Sequence, residues 1–449
     1  MKIGMISLGC AKNLVNSEQM AYRLKQSGHE VVDAYGGIRH ELLIVNTCAF
    51  IESAQQEAID TILMLAAVFE NERIIVTGCL SEFFREQVLD EFPEVCAIVG
   101  VGAFSEICDV VEKVAVRGRE AFFGDIDAPT DESERLLSTG PGWAYIKIAE
   151  GCDNRCAYCV IPEIRGRFRS RPMEKVVAEA ERLADLGVRE LIVVAQDITR
   201  YGIDLYGEYR LPELIRRFCE IEGLQWVRLH YLYPDEISDE LIEVVASEPK
   251  VLKYLDIPIQ HINDGILASM NRRGTGGDIR RLITKLRERI PGLVLRTSVI
   301  VGLPGEGDAE FDELCEFLLE YRIERAGVFP YSAQPGTPAE MMPNRPDAET
   351  VDRRVILLTE LQARICDEFG ESRVGRMLEV IVEVVEPYAV KDVRQIRGRS
   401  YAESPDVDGY IRLDDFAEGD TANIGDIIEV LITDMQDGEL IGRVAGDGK

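Results

Sequence analysis

The sequence predicts an α/β protein of three successive units: an N-terminal open parallel α/β domain, a partial (β/α)6 barrel open on one side, and a small C-terminal antiparallel β-barrel. Three observations predict it. Apolar runs alternate with helical stretches from Met1 to about Gly124 and again from Trp143 to about Tyr331, the pattern of parallel strands joined by helices. Between these regions, Arg117 to Gly142 lose periodicity and gain Gly, Pro and acid, as a linker does. From Gly375 onward, short strands are separated by Gly and Asp turns. The expected boundaries are 1–124, a linker at 125–142, 143–370 with a bridging helix, and 375–449.

In the first unit, strands are expected at Ile3–Leu8, Leu42–Val45 and Ile74–Thr77, and helices at Leu14–Gln26, Glu52–Phe69 and Glu82–Glu91. Each strand runs into a cysteine: Cys10 after S-L-G, Cys48 after V-N-T, and Cys79 after V-T-G. Ligands of open parallel sheets bind beyond the carboxyl ends of strands, so three thiols distant in sequence converge there. One such Cys reads as a small buried hydrophobe. Three at equivalent ends, with Gly or Thr before them to permit close approach, suit a three-thiolate iron–sulfur cluster with one open iron. Asn46 and Thr47 are expected to donate hydrogen bonds to its sulfurs.

In the second unit, strands are expected at Ala144–Ala149, Glu190–Ala195, Trp226–His230, Tyr254–Ile259, Leu293–Val301 and Gly327–Tyr331. After the first comes G-C-D-N-R-C-A-Y-C, which places Cys152, Cys156 and Cys159 at C-x3-C-x2-C. One loop of this spacing wraps three thiolates around a [4Fe-4S] cubane and leaves the fourth iron open. A zinc knuckle or three buried thiols is the competing reading, but no His lies between Ala144 and Leu229 to complete a zinc site. The Gly302–Glu306 turn follows a strand and precedes a helix, so its amides are candidates for an adenosyl or carboxylate group. His230 and His261 stand at strand ends, where substrate contact and a structural rim role are both open. Arg165, Arg167, Arg169 and Arg171 read either as a solvated loop or as partners of a carboxylate. The helix at Asp347–Phe369 is structural.

The chain has 449 residues, eleven Cys and a net charge of −30, with a pI near 4.6. No apolar run has the length of a membrane span, and M-K-I-G-M-I-S-L-G-C reads as a strand rather than a signal peptide. A cytoplasmic protein with reduced, metal-binding thiols is expected, and Cys96, Cys108, Cys219, Cys315 and Cys366 are expected in the core. The acidic surface disfavours a polyanion and favours a basic protein partner. The terminal barrel belongs to the oligonucleotide/oligosaccharide-binding type, yet it carries 8 Lys and Arg against 17 Asp and Glu, a net of −9.

The C-x3-C-x2-C loop, with Tyr158 before its third Cys, resembles the signature of radical S-adenosylmethionine (SAM) enzymes. With the three-Cys α/β domain and a terminal barrel that looks like a TRAM domain, essentially the whole chain resembles the methylthiotransferases. S-L-G-C-A-K-N-L-V-N-S-E, V-N-T-C-A-F-I-E-S-A, Q-D-I-T-R-Y-G and Y-L-D-I-P-I-Q-H look closest to the branch that modifies an aspartate of ribosomal protein S12, although Ala11 and Asn16 stand where Pro and Asp are common. The resemblance implies two [4Fe-4S] clusters: SAM bound at Cys152, Cys156 and Cys159, and an auxiliary cluster at Cys10, Cys48 and Cys79 that holds a sulfur methylated by a further SAM. It implies SAM contacts from Tyr158, Gln196, Ile300, Val301, Gly302 and Tyr331, and needs for an electron donor and a sulfur donor. Two rival readings remain: a tRNA adenosine-37 methylthiotransferase, against which the acidic tail speaks, and a non-catalytic iron–sulfur carrier.

Overall fold

A computed structural model describes residues 1–37, 40–69, 73–387, 394–414 and 422–444. Of the expected terminal barrel, positions 388–393, 415–421 and 445–449 lie outside the described residues. The first sheet comprises β1 (Lys2–Ser7), β2 (Glu30–Asp33), β3 (Leu42–Thr47), β4 (Arg73–Gly78), β5 (Val95–Val99) and β6 (Glu120–Phe122). Its order is β2-β1-β3-β4-β5-β6, and every pairing is parallel. The central strand β3 is buried throughout its length, as a strand covered on both faces must be.

Beside β5, which the strand-like V-C-A-I-V around Cys96 announces, two strands of this sheet escaped the sequence reading. The edges β2 and β6 are four and three residues long, too short to announce themselves as apolar runs, and β6 sits inside the stretch read as linker. The expected helix Glu82–Glu91 is two helices, Cys79–Phe84 and Glu86–Glu91. Arg85 separates them in the left-handed region (φ 47°), with its guanidinium on Glu82 at 2.7 Å and over the Phe123 ring.

The second sheet begins with β7 (Trp143–Lys147), after which β8 (Ala149–Glu150) and β9 (Arg169–Ser170) form a separate antiparallel pair. It continues with β10 (Glu190–Val194), β11 (Trp226–Leu229), β12 (Val251–Asp256), β13 (Val294–Val301) and β14 (Arg325–Pro330). Its order β14-β13-β12-β11-β10-β7 follows the chain, all parallel, and β7 and β14 do not pair, so the barrel is open. The long helix Ala348–Glu371 is capped by Asp347, whose carboxylate accepts from the Thr350 amide at 2.8 Å.

The terminal barrel consists of β15 (Met377–Pro387), β16 (Arg394–Arg399), β17 (Ile411–Leu413), β18 (Ile427–Gln436) and β19 (Glu439–Val444), closed in the order β15-β16-β17-β19-β18. The pair β17·β19 is parallel, the one departure from the expected antiparallel pattern among the described strands. Val380, Val382, Ile396, Ile411, Val430 and Ile432 fill its interior. Among the described residues no helix is long and apolar enough to cross a membrane.

Buried ion pairs join the units. Residues 125–142 lie across both sheets: Asp131 takes Arg23 at 2.8 Å, Glu132 takes Arg171 at 2.6 Å, and Arg135 reaches Glu18 and Glu179. At the other junction, Glu190 on β10 accepts from Arg228 of β11 and Arg399 of β16, each at 2.6 Å, with all three side chains fully buried. The two guanidiniums outweigh burial and hold the Glu190 carboxyl below its ordinary value of 4.5. Replacing Glu190 by Gln leaves buried Arg228 without its counter-charge and Arg399 with Glu383 alone, and we expect a loss of about 3–5 kcal/mol in chemical denaturation. Because the native carboxyl is depressed, its contribution is present above about pH 4.5 and fades as pH falls, so Glu190→Gln also flattens the acid limb of the stability curve.

Candidate metal and SAM centre

The cysteine loop after β7 is shaped by contacts on several sides, which leave Cys156 buried and Cys152 and Cys159 partly buried. The pair β8·β9 closes its base, the Cys152 amide donates to the Gly166 carbonyl at 3.1 Å, and a Cβ on Gly151 would stand 2.0 Å from the Arg167 carbonyl oxygen. Ala157 is fixed from both sides, its amide on the Met270 carbonyl and its carbonyl on the Ala339 amide, each at 2.9 Å. Asn154 donates to Asp197 at 2.8 Å, which holds the outer part of the loop against the end of β10. The Ile161 amide approaches the Cys159 sulfur at 3.5 Å. Burial pushes the Cys152 thiol up to about 11, against the Asn154 amide, and Asp197 and the neighbouring Cys156 add to the rise. Burial, then the Cys156 and Cys152 sulfurs, raises Cys159 as well. Thiols that resist ionisation in isolation and repel one another once ionised form a site that a cation stabilises.

The second three-thiol site lies at the ends of three adjacent strands, β1, β3 and β4. Cys10 begins the helix Ala11–Gln26, Cys48 follows β3 directly, and Cys79 begins the helix after β4. Glycine is required on two sides: a Cβ on Gly9 (φ 84°) would stand 2.5 Å from the Cys48 Cβ, and one on Gly78 (φ 97°) 2.3 Å from Asn46 Oδ1. Burial, then Cys10 and Cys79, pushes Cys48 up to about 12. At Cys10 burial opposes ionisation, but Lys12, Arg165 and two backbone amides prevail and lower its value. Among the described residues no three His, Cys, Asp or Glu converge closely enough to share one metal ion. A cubane sets its thiolates farther apart than a single tetrahedral ion does.

Arg165 joins the two sites. It is 1% exposed, and its guanidinium donates to Asn13 Oδ1 at 2.6 Å, Asn16 Oδ1 at 2.9 Å and the Cys79 sulfur at 3.3 Å, with Glu150 at 3.4 Å. Glu150, two residues before Cys152, also takes Lys147 at 2.8 Å and the Gln196 amide at 2.8 Å. The arginine run therefore divides: Arg167 is exposed, as a solvated loop has it, and the partly buried Arg169 reaches Asp127 at 3.5 Å. Arg165 and Arg171 are internal, and Arg171 is held by Glu132 and Glu179. Asn46 and Thr47 also depart from expectation: the Asn46 amide donates to the Asn13 carbonyl and Ser17, and the Thr47 hydroxyl to the Thr77 carbonyl, so these donors tie strand ends together instead of facing sulfur.

Of the residues expected to contact SAM, Tyr158, Ile300 and Tyr331 meet in one apolar cluster with Ala157, Ile266, Met270, Leu303 and Ala339. Gln196 stands apart, on Glu150, and its Oε1 is buried without a hydrogen-bond partner among the described residues. The Val301 side chain is in the barrel core, and its carbonyl accepts from the Tyr331 amide at 2.8 Å. Gly302 has φ 85°, and a Cβ there would meet Val351 at 2.5 Å. Three amides of its turn are already engaged: Gly302 by the Glu306 carboxylate at 3.0 Å, Gly305 by the Asn344 carbonyl and Glu306 by the Leu303 carbonyl. The expectation that these amides hold an adenosyl or carboxylate group is thereby narrowed to what the engaged donors leave free. The same Glu306 binds Arg354 at 2.9 Å and stands 3.6 Å from His261 Nε2, so His261 belongs to this buried network, while His230 bonds Ser404 at 3.1 Å. His230 thus takes the structural rim role, whereas His261 Nε2 is buried without a hydrogen-bond partner among the described residues.

Arg272 was not anticipated. Its guanidinium lies 3.9 Å from the Cys156 sulfur and 4.2 Å from the Tyr233 ring centroid, and the Tyr233 hydroxyl is itself 3.9 Å from that sulfur. No spacing ties M-N-R-R to the cysteine loop; only the sheet brings β12's outgoing chain beside β7's.

Comparison with known proteins decides the family. Residues 146–318 match the radical SAM superfamily, 2–100 an uncharacterised family designated UPF0004, and 374–445 the TRAM domain. The ribosomal protein uS12 methylthiotransferase RimO of Acetivibrio thermocellus is 44% identical over 99% of both chains. That of Geobacter sulfurreducens is 45% identical over 99% of this chain and 98% of its own. The chain belongs to the RimO family. Among solved structures, the radical SAM methyltransferase TsrM from Kitasatospora setae, with cobalamin and a [4Fe-4S] cluster bound, matches with a TM-score of 0.56 at 16% identity over 75% of this chain and 76% of that one. The cobalamin-dependent SAM radical enzyme OxsB matches with a TM-score of 0.50 at 13% identity, over 81% of this chain and 56% of that one. These two likenesses concern the fold, a parallel α/β unit joined to an open radical SAM barrel.

Replacing Arg165 by Met should destabilise the protein by about 3–5 kcal/mol, since Glu150 loses a counter-charge and Asn13 and Asn16 lose their donor inside the fold. Arg165→Lys should recover only part of it, because one ammonium cannot span both asparagines and Cys79. Thermal unfolding of the two variants checks both expectations.

Proposed function

We propose that this protein attaches a methylthio group to the β-carbon of an aspartate in ribosomal protein uS12. The observation that carries the reading is the pair of three-thiol sites held by one arginine, in a chain that matches the curated RimO proteins over nearly its whole length. An aspartate β-hydrogen is not acidic enough for a side-chain base, so the reaction calls for a radical. When loaded, a [4Fe-4S] cluster at Cys152, Cys156 and Cys159 together with SAM supplies a 5′-deoxyadenosyl radical for hydrogen abstraction, and one at Cys10, Cys48 and Cys79 supplies the sulfur.

The remaining work belongs to the chain itself. Tyr158, Ile300 and Tyr331 line the apolar side, where they shield an adenosyl group from water. Gln196 offers a buried, unpaired carbonyl oxygen suited to the amino group of SAM. Val301 and Gly302 set the strand end against which SAM packs. Arg165, with Glu150 and Lys147, fixes the separation of the two sites. The chain's charge of −30 suits a basic ribosomal protein and opposes tRNA. A second SAM as methyl donor, a low-potential electron donor and a source of replacement sulfur complete the reaction, which we place in the cytoplasm, where ribosomes are found.

Mass spectrometry of uS12 from a deletion strain should show the aspartate unmodified, with the modification restored by the intact gene. An unchanged uS12 beside a changed tRNA would replace this reading with the tRNA one. Anaerobically reconstituted protein should hold about eight irons, falling to about four in Cys152→Ala and in Cys10→Ala. Cys152→Ala should lose SAM cleavage, whereas Cys10→Ala should keep it and lose sulfur transfer. Methylthiolated product from Cys10→Ala would remove the donor role from that site.

A further inference from the structure

Lys12 lies two residues beyond Cys10 on the first turn of the helix Ala11–Gln26. Its ammonium stands 3.8 Å from the centre of the Tyr231 ring, at the end of β11. It therefore crosses from the Cys10 side to the barrel rim, and it lies within charge–charge reach of Cys10, Arg165 and Glu150. The neighbouring cations are committed: Lys147 to Glu150, Arg165 to Glu150, Asn13, Asn16 and Cys79, and Arg272 to the Pro258 carbonyl and the Tyr233 ring. Among the described residues no hydrogen bond or ion pair engages the Lys12 ammonium; its contact is the ring face.

Tyr231 is shaped to receive it. Its backbone is left-handed (φ 67°), a conformation that a bulky residue adopts at a cost of about 1–2 kcal/mol. The turn is kept because the Tyr231 carbonyl accepts from the Ile198 amide at 3.1 Å and the Leu232 amide donates to the Asp256 carbonyl at 2.9 Å. A cation held on a ring face retains donors that a carboxylate satisfies far better than the ring does.

We propose that Lys12 binds the side-chain carboxylate of the substrate aspartate, which presents its β-carbon between the two thiol sites; this rests on the function proposed above. The rival anion, the carboxylate of SAM, belongs with the 151–160 loop, whereas Lys12 is carried by the other domain and leans on β11. Lys12 thus sets the preference for an acidic side chain over a neutral one of the same shape.

The test uses reconstituted wild-type, Lys12→Met and Lys12→Arg proteins, with uS12 carrying either the native Asp or Asn at the modified position. Lys12→Met should raise KM for Asp uS12 at least about tenfold, leave KM for SAM within about twofold, and erase the preference for Asp over Asn; Lys12→Arg should recover part of that preference. Iron content and the cluster EPR signals are followed in parallel, and Lys12→Gln takes the place of Lys12→Met should the latter load fewer irons. A neutral variant with wild-type KM and an intact preference for Asp would overturn the assignment. So would a variant whose rise is confined to KM for SAM. A fully loaded wild-type protein that is inert toward uS12 would sink the substrate reading itself, and the inference with it.

Discussion

One buried guanidinium holds the two halves of the site in a single frame. Arg165 touches Asn13, Asn16 and Cys79 of the first domain and Glu150 of the second. A charge taken out of water is tolerated only when its donors are matched, and Arg165 is matched by two amide oxygens, a sulfur and a carboxylate. Each cysteine site has one of its supports in this residue. Cys79 is bound to it, and the Cys152 loop starts two residues after its carboxylate partner. A lysine there would supply charge without the planar fork that reaches both domains at once.

The same device recurs wherever the units meet. Glu190 is clamped by Arg228 and Arg399, and Glu403 by Arg325 and Arg373; inside the second unit, Arg354 holds Glu306 in the same way. In a chain with a net charge of −30, arginine is the scarcer partner, and these junctions place it where each guanidinium answers one or two carboxylates that would otherwise repel their surroundings. Arg325 and Arg373 hold the buried Glu403 carboxyl down at about 2 against the cost of burial. The terminal barrel is thereby fixed to the second sheet by polar contacts of defined geometry, among them Tyr254 hydroxyl to Asp408 at 2.6 Å and His230 to Ser404 at 3.1 Å. Apolar packing alone would have allowed the two surfaces to slide.

Much of this architecture was legible in the sequence because parallel sheets write themselves as long apolar runs, and because C-x3-C-x2-C is local. The convergence of Cys10, Cys48 and Cys79 was legible for a topological reason: strands β1, β3 and β4 are adjacent, so their ends must meet. Edge strands β2 and β6 were not, since a few residues with one exposed face carry no period. The partners of the arginine run were hidden too. R-G-R-F-R-S-R reads as a basic surface until the fold carries Asn13 and Asn16, from the far end of the chain, onto Arg165. Arg272 was invisible for the same reason: its sulfur contact is made between chain segments that leave different strands. Side-chain partnership across a sheet end has no periodic signature, whereas the sheet does.

The rim of the second sheet shows where the fold accepts cost. Tyr231 and Gln260 follow consecutive strands, β11 and β12, and both are left-handed, at φ 67° and 69°. Glycine would adopt either turn without strain, as Gly302 does at the end of β13, where a Cβ would collide with Val351. No such collision explains the choice at the other two positions, and each side chain or its backbone has an occupation. Gln260 bridges to β13, its amide on the Ser298 carbonyl at 2.9 Å and its carbonyl on the Ile300 amide at 2.8 Å, which sets the strand end that carries Ile300. Tyr231 lends its ring to Lys12. Strain of about 1–2 kcal/mol per residue at neighbouring strand ends, offset by hydrogen bonds on either side, is a local sacrifice of stability that holds the Lys12 and Ile300 contacts at the mouth of the barrel.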